Sequence, residues 1–152
     1  MTQKYESPAA FKQALEHRLK VATPAGVPVA RTRQLAVFDR FLARIAVVFG
    51  DAATLKGGVA LELRLDRART TKDIDLRVMG TPDDLLERLQ QAGRLDLDDF
   101  LSFEIDADPH RPEIDAEGMK YDGFRFRAEA KLAGKLYGQR FGIDVAFGDR
   151  DR

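Results

Sequence analysis

The sequence predicts a single domain of the α+β class, on three observations. Apolar residues recur at helical spacing in two amino-terminal stretches and one central stretch. In later segments they alternate with polar residues, as in half-buried strands. The length of 152 residues is that of one domain enclosing one core.

Ser7 and Pro8 read as an N-cap and first helical position, and Phe11, Ala14, Leu15 and Leu19 follow at helical spacing to about Lys20. Thr23-Pro24-Ala25-Gly26-Val27-Pro28 breaks the pattern. Leu35, Phe38, Leu42, Ile45 and Phe49 then mark one stripe of a longer helix ending near Gly50, with Arg33, Arg40 and Arg44 on its other face. Ala53-Thr54-Leu55 is a short strand feeding a Gly57-Gly58 turn, and residues 59–65 read as a short helix leaving that turn. Residues 73–79 form the clearest strand, with Ile74, Leu76 and Val78 on one face and Asp73, Asp75 and Arg77 on the other. Thr81, Pro82, Asp83 and Asp84 open a helix bearing Leu85, Leu86, Leu89 and Ala92, which Gly93 is expected to stop. Residues 100–105 form another strand, and residues 106–122, with two prolines, read as an exposed loop or mobile hairpin. Residues 124–132, a turn at Ala133-Gly134-Lys135 and residues 136–147 read as one long hairpin. On its second arm Asp144 opposes the apolar face of Ile143, Val145 and Phe147, between the small residues Gly142 and Ala146.

Composition excludes several chemistries. With no cysteine there is neither a disulfide framework nor a thiolate metal site, and His17 and His110 read as ordinary surface residues rather than zinc ligands. The amino terminus starts polar and no apolar run reaches the length of a membrane span, so the expectation is a soluble, cytoplasmic protein. Net charge is zero, yet residues 1–50 carry eight Lys/Arg against three Asp/Glu. That excess fits contact with a polyanion or simply solvated helix faces.

The segment Leu55-Lys56-Gly57-Gly58-Val59-Ala60-Leu61, followed by Arg69-Thr70-Thr71-Lys72-Asp73-Ile74-Asp75-Leu76, carries the most chemistry. Paired glycines let backbone amides approach phosphate oxygens, and two aspartates two apart on a strand can together hold a hard divalent cation. Together they point to a nucleoside triphosphate bound with magnesium. Of the other acidic pairs, Asp96/Asp98, Asp106/Asp108, Asp149/Asp151 and Glu104/Asp106, most read as solvated loop acids; what separates Asp73/Asp75 is its place on an apolar-backed strand after a glycine turn and short helix. Asp144 offers the third carboxylate that a two-metal site needs. Lys56 fits phosphate neutralisation or plain solvation; among Arg64, Arg69 and Lys72 only Arg69 is favoured for a role at the phosphates. A Walker P-loop and a dinucleotide fingerprint are both absent.

At these residues the chain resembles the AbiEii/AbiGii family of toxin nucleotidyltransferases, which includes the MenT toxins and belongs to the DNA polymerase β-like superfamily. The two segments above carry the match, with Phe141-Gly142-Ile143-Asp144-Val145-Ala146-Phe147-Gly148-Asp149 and the helix around Phe38 to Ile45. The resemblance implies a polymerase β-like nucleotidyltransferase fold, a mixed β-sheet flanked by helices. Residues 1–50 would form a helical segment packed on a catalytic core of residues 51–152. Two Mg2+ ions would be held by Asp73, Asp75 and Asp144, which are also the implied catalytic residues. The triphosphate would lie against Lys56, Gly57, Gly58 and Arg69. The implied reaction moves a nucleoside monophosphate from an NTP to an acceptor hydroxyl, in the family an RNA such as a tRNA 3′ end. The setting is a toxin–antitoxin or phage-defence system in which an antitoxin protein is the partner and no membrane is involved. Two departures stand out: Val59 replaces the usual Ser or Thr after the glycines, and the chain ends at Arg152, where family members continue into a helical region. The alternative is a catalytically silent nucleotidyltransferase-like module that binds nucleic acid or an antitoxin through its basic first half.

Overall fold

Ser7 adopts an extended backbone (φ −149°) and its Oγ accepts from the Ala10 N–H at 3.1 Å, which starts α1 (Pro8–Ala22) with Pro8 in its first turn. The computed structural model describes residues 7–50, 53–55, 73–78, 84–107 and 123–147. They comprise α1, α2 (Val29–Phe49), β1 (Ala53–Leu55), β2 (Asp73–Val78), α3 (Leu85–Arg94), β3 (Leu101–Ala107), β4 (Gly123–Leu132), β5 (Lys135–Leu136) and β6 (Phe141–Phe147). The strands form one mixed sheet in the order β1-β2-β6-β4-β3, with β5 beside β4. β2 and β6 run parallel, and every other pair is antiparallel. The expected α+β class with a mixed sheet is therefore the observed one. Among the described residues no helix is long and apolar enough to cross a membrane.

The core lies between the sheet and the helices. Val37, Phe38, Phe41, Leu42, Ile45 and Phe49 of α2 are buried against Ile74, Leu76, Phe103, Phe126, Phe141, Ile143 and Val145 of the strands. Phe141 is the aromatic hub, its ring 5.1 Å from Phe38 and 5.4 Å from Phe41, both edge-on.

Arg44 corrects the expectation of a solvated basic face on α2. Its side chain is fully buried, and its guanidinium donates to both carboxylate oxygens of Asp99, at 2.7 and 3.0 Å, and to the carbonyls of Arg40 and Leu101. It also lies 5.2 Å from the ring centre of Phe103, and its Nε, fully buried, has no hydrogen-bond partner. Arg40 adds a 2.8 Å bond to Asp99. Arg33 pairs with Glu16 of α1 through two bonds of 2.6 and 2.9 Å. All three arginines thus neutralise acids of their own chain, so net charge by segment misjudged this surface.

Glu16 also accepts from the Tyr137 hydroxyl, which fastens α1 to the segment before β6. The Arg33 bonds draw the Glu16 carboxyl down to about 2 against the opposing effect of burial. Burial, reinforced by the bond to Glu16, pushes the Tyr137 phenol above its ordinary range. A second tie joins the helices where the Thr23 hydroxyl meets Thr32 at 2.8 Å, and Phe11 packs 5.4 Å from Phe100.

Gly93 was expected to stop its helix; it lies inside α3 instead. A Cβ there would collide with the Phe103 carbonyl oxygen, so glycine is required for the helix to lie this close to β3. Nearby, Gln90 Nε2 donates to the Ile105 carbonyl at 2.9 Å and Arg44 Nη2 to that of Leu101 at 2.8 Å. Carbonyls at alternate residues share one side of a strand, so 101, 103 and 105 all face away from β4 and all meet α2 or α3.

The expected hairpin is interrupted. Lys131 pairs with Leu136, but Ala128 pairs with Phe141, so the register slips by two residues across 137–140. Gly138, at φ +74°, turns the chain there, and Gln34 of α2 grips Gln139 through both its carbonyl and its N–H, at 3.0 and 2.9 Å. The expected 59–65 helix and the Thr81, Pro82 and Asp83 cap lie outside the described residues. So does the 106–122 loop beyond Ala107, which still belongs to β3.

Replacing Asp99 with Asn leaves the Arg44 charge buried and unpaired, and should lower stability in denaturant unfolding by about 3–5 kcal/mol. Because Glu16 titrates lower when folded than its ordinary 4.5, its contribution is complete above about pH 4.5 and is lost as pH falls towards about 2. The Glu16→Gln variant should lose less stability than wild type over that window, measured by urea unfolding at stepped pH.

Candidate active site

β2 alternates buried Ile74, Leu76 and Val78 with exposed Asp75 and half-buried Arg77; β6 alternates buried Ile143 and Val145 with half-buried Asp144 and Ala146. The apolar residues hold both strands against α2, so the carboxylates are confined to the sheet face turned away from it. The parallel register pairs Asp75 with Asp144 and Asp73 with Gly142. Neighbouring strands lie about 4.8 Å apart, which brings Asp75 and Asp144 side by side on one face. The side chain of Asp73 lies outside the described residues, as do Lys56, Gly57, Gly58, Arg64, Arg69 and Lys72.

Arg125 is the residue that sequence reasoning missed. It is the register partner of Asp144 across β4 and β6, and its Nη1 lies 2.6 Å from Asp144 Oδ1. Asp75, Asp144 and Arg125 therefore form one transverse row over three strands. A regular hairpin continued from the β4–β5 turn would have set Arg125 opposite Gly142. The two-residue slip moves it to Asp144, and nothing in the alternation of residues 124–132 announces that slip. The row beside it holds Arg127, in register with both Gly142 and Asp106.

Of the other acidic pairs, Glu104 and Asp106 stand exposed on β3, opposite the buried Leu101, Phe103 and Ile105, although Asp106 was expected in a loop. Asp96 and Asp98 are exposed in the turn before β3, Asp96 accepting from the Asp98 N–H at 2.9 Å. His17 is exposed on α1.

The donors at the row suit a hard cation: carboxylate oxygens on adjacent strands, held by a rigid apolar backing. Among the described residues no group of three or more His, Cys, Asp or Glu gathers, so the fit rests on Asp75 and Asp144 with Asp73 two positions along β2.

A family model described as "Nucleotidyl transferase AbiEii toxin, Type IV TA system" matches residues 40–150. The chain belongs to the AbiEii family. The matched span starts within α2 and includes β2, β6 and the carboxylate row between them. AbiEii proteins are nucleotidyltransferases and toxins of type IV toxin–antitoxin systems, so an NTP substrate and an antitoxin partner come with membership. Among curated proteins no match is found.

Proposed function

We propose that this AbiEii protein is a magnesium-dependent nucleotidyltransferase that moves a nucleoside monophosphate from an NTP to an acceptor hydroxyl on RNA, such as a tRNA 3′ end. The observation that carries the reading is the register of Asp75 beside Asp144 on two parallel, apolar-backed strands of a chain in a nucleotidyltransferase family. In this reading residues 51–152 are the catalytic core and residues 1–50 a helical segment packed on it. The protein acts in the cytoplasm, where triphosphates and RNA meet, as the toxin of a toxin–antitoxin or phage-defence system.

Asp73, Asp75 and Asp144 hold two Mg2+ ions, and the backbone at Gly57 and Gly58, with Lys56 and Arg69, holds the triphosphate. Bound magnesium offsets the charge on the phosphoryl oxygens and on the leaving pyrophosphate. The acceptor hydroxyl oxygen bonds to the α-phosphorus, the bond from that phosphorus to the β-bridging oxygen breaks, and pyrophosphate departs. Asp144, on a strand fixed between β2 and β4, takes the hydroxyl proton on its carboxylate. With Val59 after the glycines, backbone amides make the phosphate contacts that a hydroxyl would otherwise share. Arg77 and Arg127, on the same face as Asp75 and Asp144, supply positive charge for a polyanionic acceptor. The alternative of a silent module that binds nucleic acid or an antitoxin through the basic first half draws no support from Arg33, Arg40 and Arg44, which pair with acids of their own chain.

Incubation of the protein with each labelled nucleoside triphosphate, total RNA and magnesium should label RNA with at least one nucleotide. Asp75→Asn should reduce incorporation by more than about 100-fold. Because Asp75 is exposed, the variant should stay folded, with an unfolding transition as cooperative as that of wild type. Transfer retained by a folded Asp75→Asn protein would remove the mechanism.

A further inference from the structure

Two carboxylates on adjacent strands repel one another, and a fold that keeps them side by side needs a positive charge close by. The structure supplies one across the next strand pair, where Arg125 Nη1 sits 2.6 Å from Asp144 Oδ1. The contact is partly shielded: the Arg125 side chain is 24 % exposed and that of Asp144 29 %. Strand pairing on an apolar backing fixes both backbones in register, so the guanidinium can always return to the carboxylate.

We propose that Arg125 is a positioning residue that occupies Asp144 in place of the divalent cation and sets the affinity with which the cation binds. The inference rests on the reading of Asp144 as a metal-holding carboxylate. Asp144 keeps lone pairs that Arg125 does not use, but a guanidinium and a divalent cation on one carboxylate repel. Cation entry therefore weakens the hold of Arg125 on Asp144. Without the cation Arg125 keeps the acidic row intact. With it the guanidinium is held less tightly. A purely structural pair differs in sign: its removal weakens the fold without making the site hold a cation more tightly.

The test is Mn2+ binding to the full chain, followed by loss of the free-ion EPR signal, with thermal unfolding measured with and without Mg2+. Arg125→Gln should bind Mn2+ about three- to tenfold more tightly than wild type, as removal of one charge near a divalent ion in a largely aqueous dielectric predicts. Its melting temperature without metal should fall, and its rise on adding Mg2+ should exceed that of wild type. Arg125→Lys, which keeps the charge, should bind close to wild type. If Arg125→Gln binds Mn2+ equally or more weakly, the competition is refuted while the metal site stands. If wild type binds no more Mn2+ than Asp75→Asn, the metal site itself fails. Should Arg125→Gln not fold, the wild-type Arg125 guanidinium resonance in 15N NMR decides: it must shift and exchange faster on Mg2+ addition, and an unmoved resonance overturns the proposal.

Discussion

The constraint on which the rest of the structure depends is the parallel register of β2 with β6. A strand has a side-chain period of two, so this one pairing sorts Ile74, Leu76, Ile143 and Val145 into the core and Asp75 and Asp144 onto the opposite face. A slip of one residue would drive the acids into apolar packing and expose the residues that hold α2. Core stability and the alignment of the acidic row are therefore one property of the sheet. The large apolar side chains of α2, above all Phe38 and Phe41 around Phe141, make the register hard to change.

The helical layer solves a second electrostatic problem. Among the described residues Arg44 is the largest fully buried side chain, and Asp99 is what permits it. Burial alone would raise the Asp99 carboxyl, but the hydrogen bonds from Arg44 and Arg40 hold it below its ordinary value. The pair joins α2 to the turn before β3, where Asp98 and Phe100 both adopt positive φ. Apolar residues of similar volume could fill the space. They could not also satisfy the Leu101 carbonyl, which Arg44 does.

Much of the fold was legible because it depends on short periods. Ser7 with Pro8 gave the start of α1, and the alternation in residues 73–78 gave β2 together with the face its acids take. What was not legible depends on partners distant in sequence. Arg44 and Asp99 are 55 residues apart, so charge counted along the chain could not reveal that one cancels the other. Gly93 was read by local rule as a helix stop, whereas its role is set by the Phe103 carbonyl on another element. The interrupted hairpin depends on Gln34, which lies 105 residues before Gln139. In the candidate site the same division holds. Asp75 and Asp144 were found from strand pattern and family likeness, but Arg125 reaches Asp144 only through the slip in register.

The outer flank of β3 has a consequence for assembly. Sheets grow when a free strand finds unpaired carbonyls and amides at an edge. Here the Leu101 carbonyl is taken by a buried arginine, the Ile105 carbonyl by Gln90, and the Phe103 carbonyl lies under a glycine of α3. An incoming strand would have to evict a charge that Asp99 holds inside the protein, so this flank is insulated against strand exchange and fibril-like stacking. Among the described residues the opposite end of the sheet is β1, Ala53–Leu55. Recognition of this toxin by another protein through the β3 flank is thereby left to side chains and surface shape rather than to a shared sheet.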